Sequence, residues 1–183
     1  MSDEQPAQRW IAFLRAINVG GHTVKMDHLR ALFEALGFPR VETFIASGNV
    51  IFESPELDAQ TLETRIAAHL RQSLGYAVET FLRSPAELAE TARREPFGEA
   101  AAQARAIYVA FLPDPPSAEA QQKLLSYRTE TDEFAICERE IYWLSRISMH
   151  ESKFSGALLE KILQMPATMR NITTVKKMAA KYA

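Results

Sequence analysis

The order of hydrophobic periodicities in the first half of the chain leaves few folds open. Arg9–Ile17 is a mostly apolar run of the kind shown by a strand buried on both faces. Leu29, Leu32, Phe33 and Leu36 then recur at helical spacing and predict a helix over Met26–Leu36. Gly37 supplies a left-handed position for its end, Phe38 closes the cap and Pro39 prevents continuation. Val41–Ala46 and Val50–Glu53 are rich in β-branched and aromatic residues, with Ser47-Gly48-Asn49 between them. A tight hairpin is expected there, and a single strand bulged at Gly48 is the alternative. Ser54-Pro55 is expected to open a second helix striped by Leu62, Ile66, Leu70 and Leu74 and stopped by Gly75. Ala77–Leu82 reads as a strand. Ser84-Pro85-Ala86-Glu87 has capping-box spacing for a helix that runs to about Arg94. Strand, helix, strand, strand, helix, strand is the split β-α-β order of a ferredoxin-like unit.

A second series follows the small, polar segment Gly98–Ala104, which is the natural linker. Ala106–Leu112 is an apolar strand, and Ser117 caps a helix to about Tyr127. Phe134–Cys137 and Ile141–Leu144 form a hairpin around Glu138-Arg139-Glu140. Lys153–Leu163 is a helix with Leu158, Leu159, Ile162 and Leu163 inward, and Asn171 caps a final helix carrying Val175, Met178 and Ala179. This is the same order without its last strand. The expected class is therefore α+β: two ferredoxin-like βαββα(β) lobes, with antiparallel sheets, helices on one face and additional C-terminal helices. The expected lobes are residues 1–97 and 98–183.

Bulk properties exclude several classes. Of 183 residues, 47% are hydrophobic and 24% charged, which is globular rather than disordered composition. A single cysteine, Cys137, rules out an intramolecular disulfide framework and points to a reducing, cytoplasmic setting. No apolar run approaches a membrane span, so no membrane partner is expected. The net charge is -2, yet Ser145–Ala183 carries seven lysines and arginines against two glutamates. Such asymmetry suits either a solvated basic face or an anionic partner, nucleic acid included.

Chemistry-bearing motifs are sparse. Arg15-Ala16-Ile17-Asn18-Val19-Gly20-Gly21 follows a strand and precedes a helix, with Lys25 just beyond. Adjacent glycines let backbone amides approach an anion, and Arg15 and Lys25 add charge, although neither phosphate-loop consensus is present. Ser47 and Asn49 offer polar groups beside Gly48, where hairpin chemistry is the simpler reading. In a split β-α-β sheet the first and third strands are antiparallel neighbours. The first strand therefore ends where the third begins, and Asn18–Gly21 should meet Ser47–Asn49. Thr168–Thr174 gathers Arg170 and Asn171 at a helix start, which could hold a phosphate or simply cap the helix. His22, His28, His69 and His150 lack metal-ligand spacing, so neither metal nor cofactor is expected. His22 and His28 flank the glycine loop as candidate proton carriers, whereas Cys137 reads as an inert core thiol. Phe52, Tyr142 and Trp143 do not form the aromatic run of an RNA-recognition sheet. No catalytic constellation emerges, and enzymatic activity stays open.

The segments "FLRAINVGG…KM", "SGNVIFES" and "ATMRNITTVKKMA" resemble the bacterial family known as domain of unknown function 1697, in the same order, from about Trp10 to Met178. The family pattern reads "LRGINVGG", "QSGNVVF" and "TTRNWNTV". Arg15, Asn18, Gly20, Gly21, Lys25, Met26, Ser47, Gly48, Asn49, Lys153, Arg170, Asn171 and Thr174 match it. Ala16 replaces a glycine, Ala46 a glutamine, Ile172 a tryptophan and Thr173 an asparagine. The resemblance implies a two-lobed ferredoxin-like fold and brings no activity with it. It makes the three polar segments signature segments, and polar groups of this kind gather at pockets. The leading expectation is a small anionic ligand, a nucleotide or phosphorylated metabolite, in a polar cleft between lobes. Its candidate residues are Arg15, Asn18, Gly20, Gly21, Lys25, Ser47, Asn49, Lys153, Arg170 and Asn171. The rival expectations are a nucleic-acid-binding module using the basic C-terminal segment, and an interaction protein whose signature loops are purely structural.

Overall fold

The computed structural model describes residues 7–183. Its described residues divide into two compact units, one ending at Leu88 and the other spanning Ala89–Ala183. In the first, strand β1 (Gln8–Leu14) is followed by helix α1 (Met26–Ala35), strands β2 (Glu42–Thr43) and β3 (Asn49–Ser54), helix α2 (Ala59–Leu74) and strand β4 (Thr80–Arg83). The sheet order is β2-β3-β1-β4, all antiparallel. This is the ferredoxin-like arrangement that the order of periodicities predicts.

Strand alternation sorts the side chains. Trp10, Ala12 and Leu14 of β1, with Val50 and Phe52 of β3 and Leu82 of β4, share a core with Leu29 and Phe33 of α1 and Leu62, Ile66 and Leu70 of α2. The alternate residues Ile11, Phe13, Ile51 and Phe81 are buried as well, so the sheet is apolar on both faces. Arg83 lies on that second face, in register with Ile11, and is fully buried.

Local chemistry fixes most helix ends. Gly75 closes α2 at φ 82. The opening of α2 differs from expectation. Ser54 and Pro55 lie before it, and Asp58 is the cap, accepting from the Thr61 amide at 2.8 Å. Helix α3 (Pro85–Arg93) starts with the expected reciprocal box: Ser84 N donates to Glu87 Oε2 at 2.7 Å and Glu87 N to Ser84 Oγ at 3.2 Å.

The presumed linker is a 3-10 turn, Gly98–Gln103. Strand β5 (Ala106–Phe111), helix α4 (Ala118–Leu125), the hairpin β6 (Asp132–Cys137) and β7 (Glu140–Ser145), helix α5 (Gly156–Leu163), strand β8 (Thr168–Asn171) and helix α6 (Ile172–Tyr182) complete the second unit. Its sheet order, β6-β7-β5-β8, repeats that of the first. The sequence reading omitted β8. Its four residues alternate Thr168 and Arg170, both buried, with Met169 and Asn171. A strand whose buried positions are polar shows no hydrophobic signature. Helix α5 also begins later than expected, at Gly156, where Ser155 accepts from the Leu158 amide. Ala110, Trp143, Ile141, Leu124, Phe154, Leu159 and Ile162 form the core on the α4–α5 side. Helix α6 packs along β5 and β8, burying Val175, Met178 and Tyr182.

Candidate functional site

The loop after β1 and the turn before β3 meet, as strand direction requires. Leu14 N donates to Gly48 O at 2.8 Å. Asn18 Nδ2 donates to Ala46 O at 3.0 Å, and Asn18 Oδ1 accepts from Val24 N at 2.7 Å. Asn49 is fully buried and donates from Nδ2 to Phe44 O and to Ser47 Oγ, both at 2.9 Å. Phe44 N donates in return to Asn49 O. The hairpin turn is therefore the five residues Phe44–Gly48, longer than a tight hairpin, and the Asn49 side chain spans it. Gly48 has φ 74, and a Cβ there would stand 2.9 Å from Ile17 Cβ. Only glycine lets the turn and the loop approach this closely.

The loop backbone is unusual. Positive φ occurs at Ala16 (63°), Asn18 (56°), Gly20 (61°) and Gly21 (86°), while Arg15, Ile17 and Val19 keep the ordinary sign. Backbone that alternates in this way curls, and its amides can converge on one side as a concave nest. The hydrogen bonds donated by backbone amides here belong to Arg15 N, to Glu79 O; His22 N, to Val19 O; and Val24 N, to Asn18. The amides of Ala16 to Gly21 meet no acceptor among the described residues. The family pattern's glycine in place of Ala16 acquires a reason, since the position is left-handed.

Around this curl, Arg15 Nη1 pairs with Glu79 Oε2 at 3.2 Å, both about one-third exposed. Lys25 is exposed at the entrance to α1, and its side chain takes no part in capping. His22 stacks on Tyr76 with ring centroids 3.8 Å apart. The loop tip thus rests on an aromatic ring, and His22 acts here as packing surface. Burial raises the Tyr76 phenol above its ordinary value, and its hydroxyl meets no partner among the described residues.

The remaining candidate residues belong to the second unit. Lys153 is exposed in the loop before α5. Asn171 caps α6, accepting from Thr173 N at 2.9 Å. Arg170 is 7% exposed and donates to Thr168 Oγ1 at 2.8 Å and Met169 O at 2.9 Å. Burial pulls its guanidinium down to about 10, still cationic at neutral pH.

Cys137, expected in the core, is half-buried and lies near Arg94. Phe52, Tyr142 and Trp143 are all buried, so none presents a face for stacking a base. Among the described residues no group of histidine, cysteine, aspartate and glutamate side chains could hold a metal ion. No described helix is long and apolar enough to cross a membrane. Sequence reasoning missed Arg83 and Arg94. Their signals, an arginine within an apolar strand and one after a helix, are too common to single out.

The family model described as "Protein of unknown function (DUF1697)" matches residues 7–142. No curated protein matches the chain. Among solved structures, a conserved bacterial protein from Streptococcus pneumoniae is 21% identical and covers 97% of this chain and 100% of its own, with a TM-score of 0.74. At that identity the likeness is one of fold.

Proposed function

Because the chain belongs to the DUF1697 family, whose function is unknown, we propose a role read from its own residues: binding of a small anion, a nucleotide or phosphorylated metabolite, at the loop Arg15–Lys25. One observation carries this reading. The backbone alternates in the sign of φ from Arg15 to Gly20, and the amides of Ala16 to Gly21 meet no acceptor among the described residues. Curled backbone of this kind offers several N–H groups to one phosphate oxygen without any side-chain cation. Lys25 adds a nearby charge. Arg15 adds a second once Glu79 yields it, and an exposed pair of that kind is worth only about 0–1 kcal/mol. Asn18 and Asn49 act one step removed: their hydrogen bonds hold the curl in shape.

The test is a thermal-shift and calorimetric titration of the full chain with inorganic phosphate, AMP and ATP. Binding to the native state raises the melting temperature with ligand concentration. Lys25→Ala, at an exposed position, should weaken binding several-fold and leave the unliganded melting temperature unchanged. Absence of a response from the wild-type chain to all three anions, at low salt, overturns the reading and leaves the loop as structural.

A further inference from the structure

We propose that the second unit carries a separate pocket for a small carboxylate with a compact apolar body. The cavity has a volume of about 180 Å³ and is walled by the turn after α3, by β5 and β7, and by the first turns of α6. All of its lining lies within residues 89–183, so it is independent of the loop in the first unit. Phe97, Ile107 and Ile172 make the walls largely apolar, and the fully buried Tyr142 borders them. The Tyr142 hydroxyl is already committed, donating to Thr91 O at 2.8 Å. Two cations, Arg94 and Lys176, and one anion, Glu95, also line it.

The two cations differ in kind. Arg94 is held by Glu90, from Nε to Oε1 at 3.3 Å; its side chain is 27% exposed. It is positioned before any ligand arrives. Lys176 is exposed on α6 and swings on a flexible stem. A fixed guanidinium and a mobile ammonium above an apolar floor suit a single negative charge attached to a greasy group. The size agrees, because a cavity of about 150 Å³ accepts a benzene ring. A doubly charged phosphate would lose more hydration than these walls return, whereas a monocarboxylate places its apolar part where water gains least.

Benzoate is the probe, with benzyl alcohol as its neutral counterpart, followed by calorimetry and by chemical-shift changes in the full chain. Saturable benzoate binding is expected, with the alcohol weaker by about tenfold, the equivalent of one charge-assisted contact. Lys176→Ala, on an exposed helix surface, should cost a similar factor. Ile172→Trp fills the cavity and should abolish binding while circular dichroism stays native. Lys25→Ala should leave benzoate affinity unchanged, which separates this site from the loop. Four results would each overturn the proposal: no saturable binding of benzoate, equal binding of the alcohol, a benzoate affinity unchanged by Lys176→Ala, or benzoate binding that survives a folded Ile172→Trp.

Discussion

Asn18 donates to the carbonyl of Ala46 across 3.0 Å and so joins the loop after β1 to the turn before β3. The same carboxamide accepts from Val24, at the approach to α1. Three pieces of chain that lie apart in sequence are held by one side chain.

Asn18→Ala should lower the unfolding free energy by about 1–3 kcal/mol, since both partners lose a hydrogen bond. Asn18→Asp keeps the acceptor and loses the donor, so it should fall between wild type and alanine. Gly48→Ala should cost more than either. It adds both a left-handed alanine and a Cβ 2.9 Å from that of Ile17. Urea denaturation of the three variants gives the order directly.

Ala16 pays for its left-handed φ of 63°. That conformation costs an L-residue about 1–2 kcal/mol, and glycine recovers it at the expense of about 0.4–1 kcal/mol in unfolded-state entropy. Ala16→Gly should therefore stabilise the chain by up to about 1.6 kcal/mol. A shift in the urea midpoint at constant slope is the expected readout.

Under the proposed role, Glu79, paired with Arg15 at 3.2 Å, is the competitor of the incoming anion. Glu79→Gln should tighten phosphate binding at the loop several-fold, with an effect that shrinks as salt rises. In Arg15→Ala the same change at Glu79 should have little effect, because the competition is gone. Calorimetric titration of the double-mutant cycle measures the coupling.

Acid should destabilise the second unit through two carboxylates held below their ordinary value of 4.5: Glu133, chiefly by the hydrogen bond from Arg146, and Glu151, chiefly by the hydroxyl of Ser148. Their folded values lie below their unfolded ones, so their contribution is complete above about pH 5 and is lost as pH falls through the folded values. Stability measured from pH 7 to pH 3 should decline at the acid end. Arg146→Ala should be less stable at pH 7 and lose less on acidification.

What could be read from the chain alone follows the range of the forces involved. The box at Ser84 and Glu87 was legible because both partners lie within one turn. The meeting of Asn18 with the Ser47–Asn49 turn was legible from strand direction, which needs no side-chain detail. Strand β8 was not, because its inward positions are Thr168 and Arg170, and only the completed sheet makes their burial tolerable. Asp58 outcompeted Ser54 as a cap because Ser54 is taken up in β3, a tertiary decision. The pocket was hidden for the same reason: Arg94, Tyr142, Ile172 and Lys176 come from segments that only folding brings together.

Asn171 ends β8 and also caps α6, so strand and helix share a residue with nothing between them. There is no slack at this junction. One residue inserted after Asn171 would turn the helix by about 100° relative to the sheet and swing Val175, Met178 and Tyr182 off the surface they cover. Length changes that most surface connections absorb are therefore forbidden here, and evolution at this corner is confined to substitution.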